Sequence, residues 1–216
     1  MKKIHFTLLV VFLCSVSLVN AQNDQDYLNS TLDDEPRVSL LIYGGVGYAV
    51  MDNDNQPNYN LDASTADFLL HYRIGKRYGI ATGIGIDQLT GNGFNSLGNF
   101  YHERSTLRIP LLLSGNYNLS PKVRLVANIG FYAKTVIRDE YSFVGGNIED
   151  VYEGWNFGLQ SGIGLAYNFN QRTSLGIMFN TQGDFNRLDS NSGSGITDEQ
   201  KTTSINTVGL LFTIGL

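Results

Sequence analysis

Apolar and small polar residues alternate along this chain, and that period of two restricts its fold more than any other sequence feature. Between Gly154 and Asn170 the odd positions are bulky and apolar apart from one serine, and the even positions are Gly, Ala, Asn or Gln. Such alternation is typical of a β-strand whose two faces meet different surroundings. No segment after Pro36 shows a sustained helical period, so the sequence predicts an all-β protein.

Eight segments carry the alternation, and their connections follow a regular scheme. Three tight turns fall at 75–77, 119–121 and around 171, and four long polar links fall at 52–62, 90–104, 138–153 and 183–202. Because short and long connections alternate, the sequence predicts an eight-stranded antiparallel up-and-down transmembrane β-barrel with short periplasmic turns. The predicted strands are Val38–Met51, Ala63–Ile74, Tyr78–Leu89, Ser105–Asn118, Lys122–Ile137, Gly154–Asn170, Arg172–Gln182 and Thr203–Leu216.

The chemistry of the two faces decides between a membrane barrel and a soluble one. A soluble ligand-carrying barrel can have the same number of strands. If the bulky face were its interior, the exterior would be Gly, Asn and Ser, whereas about a quarter to a third of a soluble surface is charged. Charged residues make up only 16% of this chain. The reverse arrangement, with Leu, Ile and Phe toward lipid and small polar residues in a narrow lumen, favours the outer membrane.

Aromatic residues and the last strand fit the same interpretation. Aromatic residues cluster near both ends of the predicted strands, where lipid headgroups would lie. Those beside the short turns are Tyr72, Tyr78, Tyr117, Tyr167 and Phe169, and those near the long links are Tyr48, Trp155 and Phe157. In the last strand, Thr207, Gly209, Phe212 and Ile214 fit the terminal pattern that barrel-assembly machinery recognises, so this machinery is an expected partner.

The N-terminal region divides into two segments ahead of the barrel. Residues 1–21 predict a signal peptide, with Lys2 and Lys3 before an apolar stretch and cleavage after Ala21. The single cysteine, Cys14, lies inside it, and the leucine before that cysteine disfavours a lipoprotein. Residues 22–36 are polar and acidic, and we expect a flexible periplasmic leader there. Residues 37–216 form the predicted barrel, and the expected location is the cell outer membrane.

Three short motifs resemble a known family. Thr106–Leu113 is similar to the L-x-I-P-L-L strand of PorT-like outer-membrane β-barrel proteins, the "outer membrane protein beta-barrel domain" group. Val126–Tyr132 and Gly158–Gly164 extend the resemblance, which runs from about Val38 to Leu216. It implies an integral outer-membrane barrel. One branch of that family assists a secretion system, and most members have no defined activity.

Four charged residues are predicted to face the lumen. By strand parity Asp67, Asp87, Arg108 and Lys134 all point inward, on four consecutive predicted strands. Counted from the tight turns they lie at similar heights, so we expect them to form one layer in which two acids balance two bases. Unpaired charges would be costly there, and we interpret the layer as a structural network rather than a functional site. Eight strands leave room only for side chains, so no ion-conducting pore is expected.

Catalytic and metal-binding patterns are weak. Outside the signal peptide the chain has two histidines. His71 would point into the lumen, and His102 falls in a long link beside Glu103, Arg104 and Ser105 without a recognised catalytic signature. No metal site or cofactor is predicted. The third long link carries Asp139, Glu140, Glu149, Asp150 and Glu153 against Arg138; we interpret these as a solvated loop, the alternative being divalent ions that bridge lipopolysaccharide.

The expected function is that of a non-enzymatic integral outer-membrane protein, either structural or binding a partner or ligand through its external loops. One alternative is an accessory component of a protein-secretion machine, and a third is an outer-membrane enzyme such as an acyltransferase, lipase or protease. Outer-membrane lipid, lipopolysaccharide and an envelope or secretion protein are the other expected partners. Nucleic acid is excluded because 20 acidic residues outnumber 15 basic ones and no basic cluster occurs.

Overall fold

The computed structural model describes residues 36–95, 97–191, 193, 194, 196 and 198–216. The predicted signal peptide and all of the leader except Pro36 lie outside these residues. The ten strands are β1 (Val38–Asn53), β2 (Tyr59–Arg73), β3 (Tyr78–Asn95), β4 (Gly98–Asn118), β5 (Val123–Phe143), β6 (Gly146–Glu149), β7 (Trp155–Asn168), β8 (Thr173–Asp184), β9 (Leu188–Asp189) and β10 (Glu199–Gly215). Over the part of the chain so described, no helix has the length and hydrophobicity to cross a membrane.

Eight of these strands close into one antiparallel ring. The order is β1-β2-β3-β4-β5-β7-β8-β10, and β10 pairs back onto β1 from Gly215 opposite Ser39 to Gln200 opposite Asn53. The short strands β6 and β9 pair with the outer parts of β5 and β10. The predicted eight-stranded up-and-down barrel is therefore confirmed.

The two ends of the barrel differ in the length of their connections. The turns from β2 to β3, from β4 to β5 and from β7 to β8 are tight, and both ends of the described barrel lie with them. In outer-membrane barrels short turns are periplasmic, so this is the periplasmic end and the other is the outer end. Backbone bonds close the first turn, where the Ile74 amide donates to the Tyr78 carbonyl at 3.0 Å.

The links at the outer end are more structured than the sequence indicates. The prediction of a long polar link over residues 90–104 is wrong, because β3 continues to Asn95 and β4 begins at Gly98. Likewise β2 begins at Tyr59 rather than Ala63, and β5 continues to Phe143. In these segments both faces of the strand carry polar residues. The alternation of apolar and polar residues therefore fades, although the pairing of the strands continues.

The two faces lie as the alternation predicts. On β7 the side chains of Trp155, Phe157 and Ile163 are 51–56% exposed on the outside, whereas Asn156 and Gln160 are buried in the lumen. On β4 the outward residues change from Ile109, which is apolar and exposed, to Ser105 and Glu103. The part of β4 before Ser105 therefore lies beyond the apolar belt, on the outer side. Since hydrocarbon favours such a belt and a closed ring leaves no unpaired edge, the barrel is built to span a membrane.

Candidate functional site

The lumen contains an ion-pair network centred on Arg108. This side chain projects inward from β4 and is fully buried. One guanidinium nitrogen donates to Asp67 Oδ1 at 2.8 Å and to Asp87 Oδ1 at 3.2 Å, and the other donates to the Gln160 side-chain carbonyl. Residues on β2, β3, β4 and β7 thus meet at one level of the barrel.

Neutral side chains donate further hydrogen bonds to the two carboxylates, three to Asp87 and one, from Gln160 at 3.4 Å, to Asp67. Asp87 accepts hydrogen bonds from the hydroxyls of Thr65 and Thr106, at 3.1 and 3.2 Å, and from Gln182 Nε2 at 3.0 Å. A Cβ at Gly85 would overlap both the Asp67 carboxylate and the Arg108 guanidinium, so this glycine makes room for the ion pair. The network joins five strands and fills the lumen at that level.

Lys134 belongs to an adjoining ion pair. Its ammonium lies 2.9 Å from Asp184 Oδ1, and the Tyr132 hydroxyl donates to that same oxygen at 2.6 Å. The structure therefore brings Asp67, Asp87 and Arg108 together, and it pairs Lys134 with an acid outside the predicted set. The Tyr132 ring lies within 6 Å of both the Lys134 ammonium and the Arg108 guanidinium, at 5.7 and 5.8 Å, so the two ion pairs share an aromatic wall.

Tyr132 and Asp184 were not predicted as part of the network. Asp184 falls within the segment predicted as a long link, whereas β8 extends as far as this residue. Tyr132 faces inward by the same parity as Lys134, which is the signal that could have identified it. A Cβ at Gly158 would overlap the Tyr132 ring and hydroxyl, so the glycine opposite Tyr132 makes room for the ring.

The lumen is closed below the network as well. A cavity of about 20 Å³ lies there, lined by both polar and apolar side chains. That volume has room for about one water molecule. Nearer the periplasmic end the His71 ring nitrogen Nε2 hydrogen-bonds the Ser114 hydroxyl at 2.7 Å, and Arg124 donates to the Ser174 hydroxyl at 2.7 Å. His71 thus lies in the lumen as its position predicts.

A second polar cluster lies at the outer end, centred on His102 and Asp139. His102 projects inward from β4 with no exposed surface, rather than lying in a loop. Its Nε2 donates to Asp139 Oδ1 at 2.7 Å, and its Nδ1 accepts from the Tyr59 hydroxyl at 2.9 Å. Arg104 binds both oxygens of the Asp139 carboxylate, at 2.6 and 3.1 Å.

Burial and charge set the protonation states in this cluster. Burial lowers the pKa of His102 by more than the neighbouring Asp139 raises it. Burial alone would raise the pKa of Asp139, but Arg104 and His102 outweigh burial and hold it at about 2. The pKa of Tyr59 is raised by burial to about 12. At neutral pH the cluster therefore combines an ionised carboxylate, a neutral imidazole and a neutral phenol.

This geometry limits the chemistry that His102 can perform. Both of its ring nitrogens are engaged, and Tyr141 stacks on the ring with centroids 4.3 Å apart. The Tyr59 hydroxyl also accepts a hydrogen bond from Gln200 at 3.0 Å. A substrate would have to displace Tyr59 before it could reach the imidazole.

The interpretation of the third long link as a solvated acidic loop is wrong for two of its five acids. Asp139 is buried in the ion pair with Arg104, because β5 continues past the bulge at Ile137 and turns this side chain inward. Glu140 is also largely buried, and it accepts a hydrogen bond from Asn147 at 2.8 Å. The other three, Glu149, Asp150 and Glu153, are exposed.

Comparisons with known proteins show the fold. No protein-family model and no curated protein matches the sequence. Neisserial surface protein A aligns with a TM-score of 0.52 at 9% identity, over 83% of this chain and 97% of its own. The outer membrane protease OmpT from Escherichia coli gives 0.46 at 10% identity, over 82% and 96% of the two chains. OprG from Pseudomonas aeruginosa gives 0.44 at 12% identity, over 84% and 98%.

Identities this low support a shared architecture and nothing about activity. The first of these alignments and the closed ring agree on the architecture, and the apolar belt with its polar lumen agrees with a bilayer location. The chain is an eight-stranded β-barrel of the outer membrane.

Proposed function

We propose that this protein is a non-enzymatic outer-membrane barrel that binds a partner or ligand through its outer end. The proposal rests on the structure of the outer end, where two hairpins form what we call the outer cap. They are the outer part of the β3–β4 hairpin, residues 90–104, and the β5–β6 hairpin, residues 138–149. The two hairpins share a buried aromatic cluster in which the Phe100 and Tyr141 rings lie 4.6 Å apart. Above the cluster Phe94 and Leu97 are 58% and 57% exposed, and Val144 is fully exposed.

Exposed apolar residues outside the lipid belt favour recognition. Exposed apolar side chains that are grouped on a folded surface frequently mark sites of protein interaction, and these three lie at the tips of the two hairpins of the cap. Because the cap is already ordered by its aromatic cluster, binding there would cost less conformational entropy than binding by an unstructured loop. Val151, Tyr152 and Leu188 complete the buried cluster and connect the cap to the neighbouring links.

Site-specific photo-cross-linking in intact cells tests this proposal. A benzophenone amino acid placed at Phe94 should give a discrete cross-linked product, and the product should be lost when Leu97→Ser and Val144→Ser are introduced together. The matched control is the same amino acid at Phe131, which is 64% exposed on the lipid-facing side and should give no such product. Equal products from both positions, or none from Phe94, would contradict a role for the cap.

The absence of enzymatic activity is part of the proposal and has its own test. It is supported by the engagement of both His102 ring nitrogens. If His102 were catalytic, His102→Ala would abolish peptide or lipid turnover by the reconstituted barrel, and His71→Ala, at the other end of the lumen, would not. We expect no turnover from either variant or from the wild-type protein.

A second candidate is an accessory role in protein secretion, within the PorT-like family. It is favoured by the motif Thr106–Leu113, which forms the membrane part of β4 and contains Arg108. Deletion of the gene should then block the export of other proteins while the outer membrane stays intact. Normal export in the deletion strain would leave the surface-binding role.

Other partners follow from the barrel itself. The apolar belt would contact outer-membrane lipid and lipopolysaccharide, and the strand β10 would be the segment that barrel-assembly machinery binds. Replacing Phe212 with Asp in that strand should lower the amount of folded protein in the membrane, measured as the heat-modifiable band on a gel.

A further inference from the structure

The periplasmic end carries four exposed cations. One lies at each of the three tight turns and one where the ends of β1 and β10 meet, and we call these four places the corners of the barrel. Arg37 precedes β1, Lys76 lies in the turn from β2 to β3, Lys122 lies in the turn from β4 to β5, and Arg172 lies in the turn from β7 to β8. All four are exposed. The corners are two strands apart around the ring, so these cations encircle the barrel rather than forming a patch on one side.

Basic residues outnumber acidic ones at this end, in the stretches of chain that the structure describes. The stretches 36–41, 71–81, 115–126, 166–176 and 211–216, which form this end, contain no Asp or Glu and three further arginines, Arg73, Arg77 and Arg124. The outer end has the opposite balance, because Arg138 is the one exposed cation there among the described residues. Its exposed carboxylates are Asp54, Asp62, Glu149, Asp150, Glu153, Asp189 and Glu199. The described barrel is therefore electrically polar along its axis.

Exposed apolar side chains stand beside each corner cation. Tyr78 lies next to the first turn, Leu119 in the second, Phe169 beside the third, and Leu216 beside the strand ends, with exposures of 71%, 52%, 60% and 68%. The Arg77 guanidinium also lies 4.9 Å from the centre of the Tyr117 ring. Aromatic side chains are enriched at the boundary between hydrocarbon and headgroups, and Lys and Arg are favoured there because their apolar stems pack on apolar surface while the charge stays in water.

We propose that this ring of cations binds the phosphate groups of anionic phospholipids in the periplasmic leaflet. Lipid surrounds a barrel on all sides, and a ring of charge matches it, whereas a protein partner would dock on one side. Anionic headgroups attract Lys and Arg near the membrane surface, and salt weakens the attraction. The acidic outer end would repel such lipids, so the preference is confined to one leaflet.

Tryptophan quenching by brominated lipids tests this directly. The chain has one tryptophan, Trp155, which lies at the outer end of β7. The chain without its predicted signal peptide would be folded into vesicles that contain brominated phosphatidylglycerol or brominated phosphatidylcholine. In the Tyr78→Trp, Trp155→Phe variant the new tryptophan reports on the periplasmic end. It should show a preference for phosphatidylglycerol of about three- to tenfold at low salt, and native Trp155 should show none.

Matched variants separate the ring from general electrostatics. In the Tyr78→Trp, Trp155→Phe background, replacing all four ring cations together should abolish the preference, and high salt should do the same. The replacements are Arg37→Gln, Lys76→Gln, Lys122→Gln and Arg172→Gln. The control Glu149→Gln, Asp150→Asn, Glu153→Gln and Asp189→Asn changes four charges at the outer end and should leave the preference unaltered. Heat-modifiable gel mobility would show that each variant is folded.

Three results would overturn the proposal. The first is equal quenching by the two lipids, which would indicate an acidic protein or another periplasmic partner instead. The second is a preference that survives removal of the ring cations. The third is a preference that appears only after Asp33→Asn, Asp34→Asn and Glu35→Gln, since the acidic leader of the chain would then be the occupant of the ring.

Discussion

Arg108 is the residue on which the lumen network depends. Two carboxylates, Asp67 and Asp87, lie within hydrogen-bonding distance of the same guanidinium nitrogen, and all three side chains are buried. Without the arginine, two buried acids would face each other with only neutral donors such as Gln160 and Gln182. Breaking a buried ion pair by removing one partner is far more costly than replacing both partners with apolar groups.

We predict that Arg108→Met destabilises the folded barrel by about 3–5 kcal/mol. Urea unfolding in lipid vesicles would measure this loss. The matched control is Arg138→Met, because the Arg138 side chain is 62% exposed and solvent screens its ion pairs with Glu103 and Glu140. The triple replacement Asp67→Asn, Asp87→Asn and Arg108→Met should recover much of the loss. Equal effects at 108 and 138 would show that the lumen pair is not buried.

His102 makes the outer cap sensitive to acid. Its pKa is lowered in the folded protein, mainly by burial, so the unfolded chain binds the proton more readily than the folded one. Stability is therefore full above the ordinary histidine value of 6.5 and decreases as the pH falls below it. Asp139, with its pKa held at about 2, adds a second loss as the pH falls from about 4 toward 2.

We predict that acidification from pH 7.5 to 5 opens the outer cap. The opening free energy should fall by at most about 1.4 kcal/mol per pH unit for this single group. Limited proteolysis at the β3–β4 hairpin would measure the opening. His102→Gln should remove the dependence over this pH range, and His71→Gln should keep it because His71 lies at the other end. A cap equally resistant at both pH values would contradict the burial of a neutral imidazole.

Parity along each strand was enough to predict which residues share the lumen, but not which ones pair. It placed Asp67, Asp87, Arg108 and Lys134 inward, and all four are buried. It did not pair Lys134 with Asp184, because the sequence signal for β8 stops at Gln182. Pairing depends on the register and curvature of distant strands, which a local pattern does not contain.

At the scale of the strand, β4 shows how a proline fits into a membrane barrel. Pro110 lacks an amide hydrogen and lies mid-strand, where proline is ordinarily disfavoured. Pairing between β3 and β4 is interrupted between Leu111 and Arg108, and the Thr82 hydroxyl donates to the Pro110 carbonyl at 2.8 Å. A side-chain bond thus replaces part of the backbone ladder.

The outer hairpins show why their strands escaped prediction. Their outward faces carry polar residues such as Glu103 and Asn92 because they lie in water, so the contrast between an apolar outward face and a polar inward face is lost. What holds them is the aromatic cluster on the inner side, where Phe100 contacts Tyr59 and Tyr141 edge to face, at 5.3 and 4.6 Å. Such long-range packing has no signature in a local window.

We predict that Phe100→Ala destabilises the outer cap by about 3–5 kcal/mol, because the ring is almost completely buried among other aromatic rings. Hydrogen exchange of the β3–β4 amides would report the change locally. Phe94→Ala in the same hairpin is the matched control, since that ring is 58% exposed and its loss leaves no cavity. If Phe100→Ala left amide exchange unchanged, the cap would not depend on this cluster.

At the scale of the whole molecule, the predicted architecture depends on which face of the strands is assigned to the exterior of the barrel. Alternation alone predicts strands, and the number of strands alone fits both soluble and membrane barrels. Because an uncharged face of Gly, Asn and Gln is unsuited to water and suited to a narrow lumen, the sequence does predict a membrane barrel. The barrel's strand order and closure follow from that choice, and its loop structure does not.

Spin-label accessibility along β7 tests most directly which face of the strands contacts the hydrocarbon. The only cysteine of the chain is Cys14, so the chain without its predicted signal peptide accepts single labelled cysteines. In vesicles, labels at Phe157, Ile163 and Leu165 should be relaxed by oxygen dissolved in the hydrocarbon and not by a water-soluble nickel complex. Labels at Asn156 and Gln160 should be shielded from both. If the nickel complex relaxed the labels at 156 and 160 while those at 157, 163 and 165 were shielded, the barrel would be inside out relative to this structure and would not span a membrane.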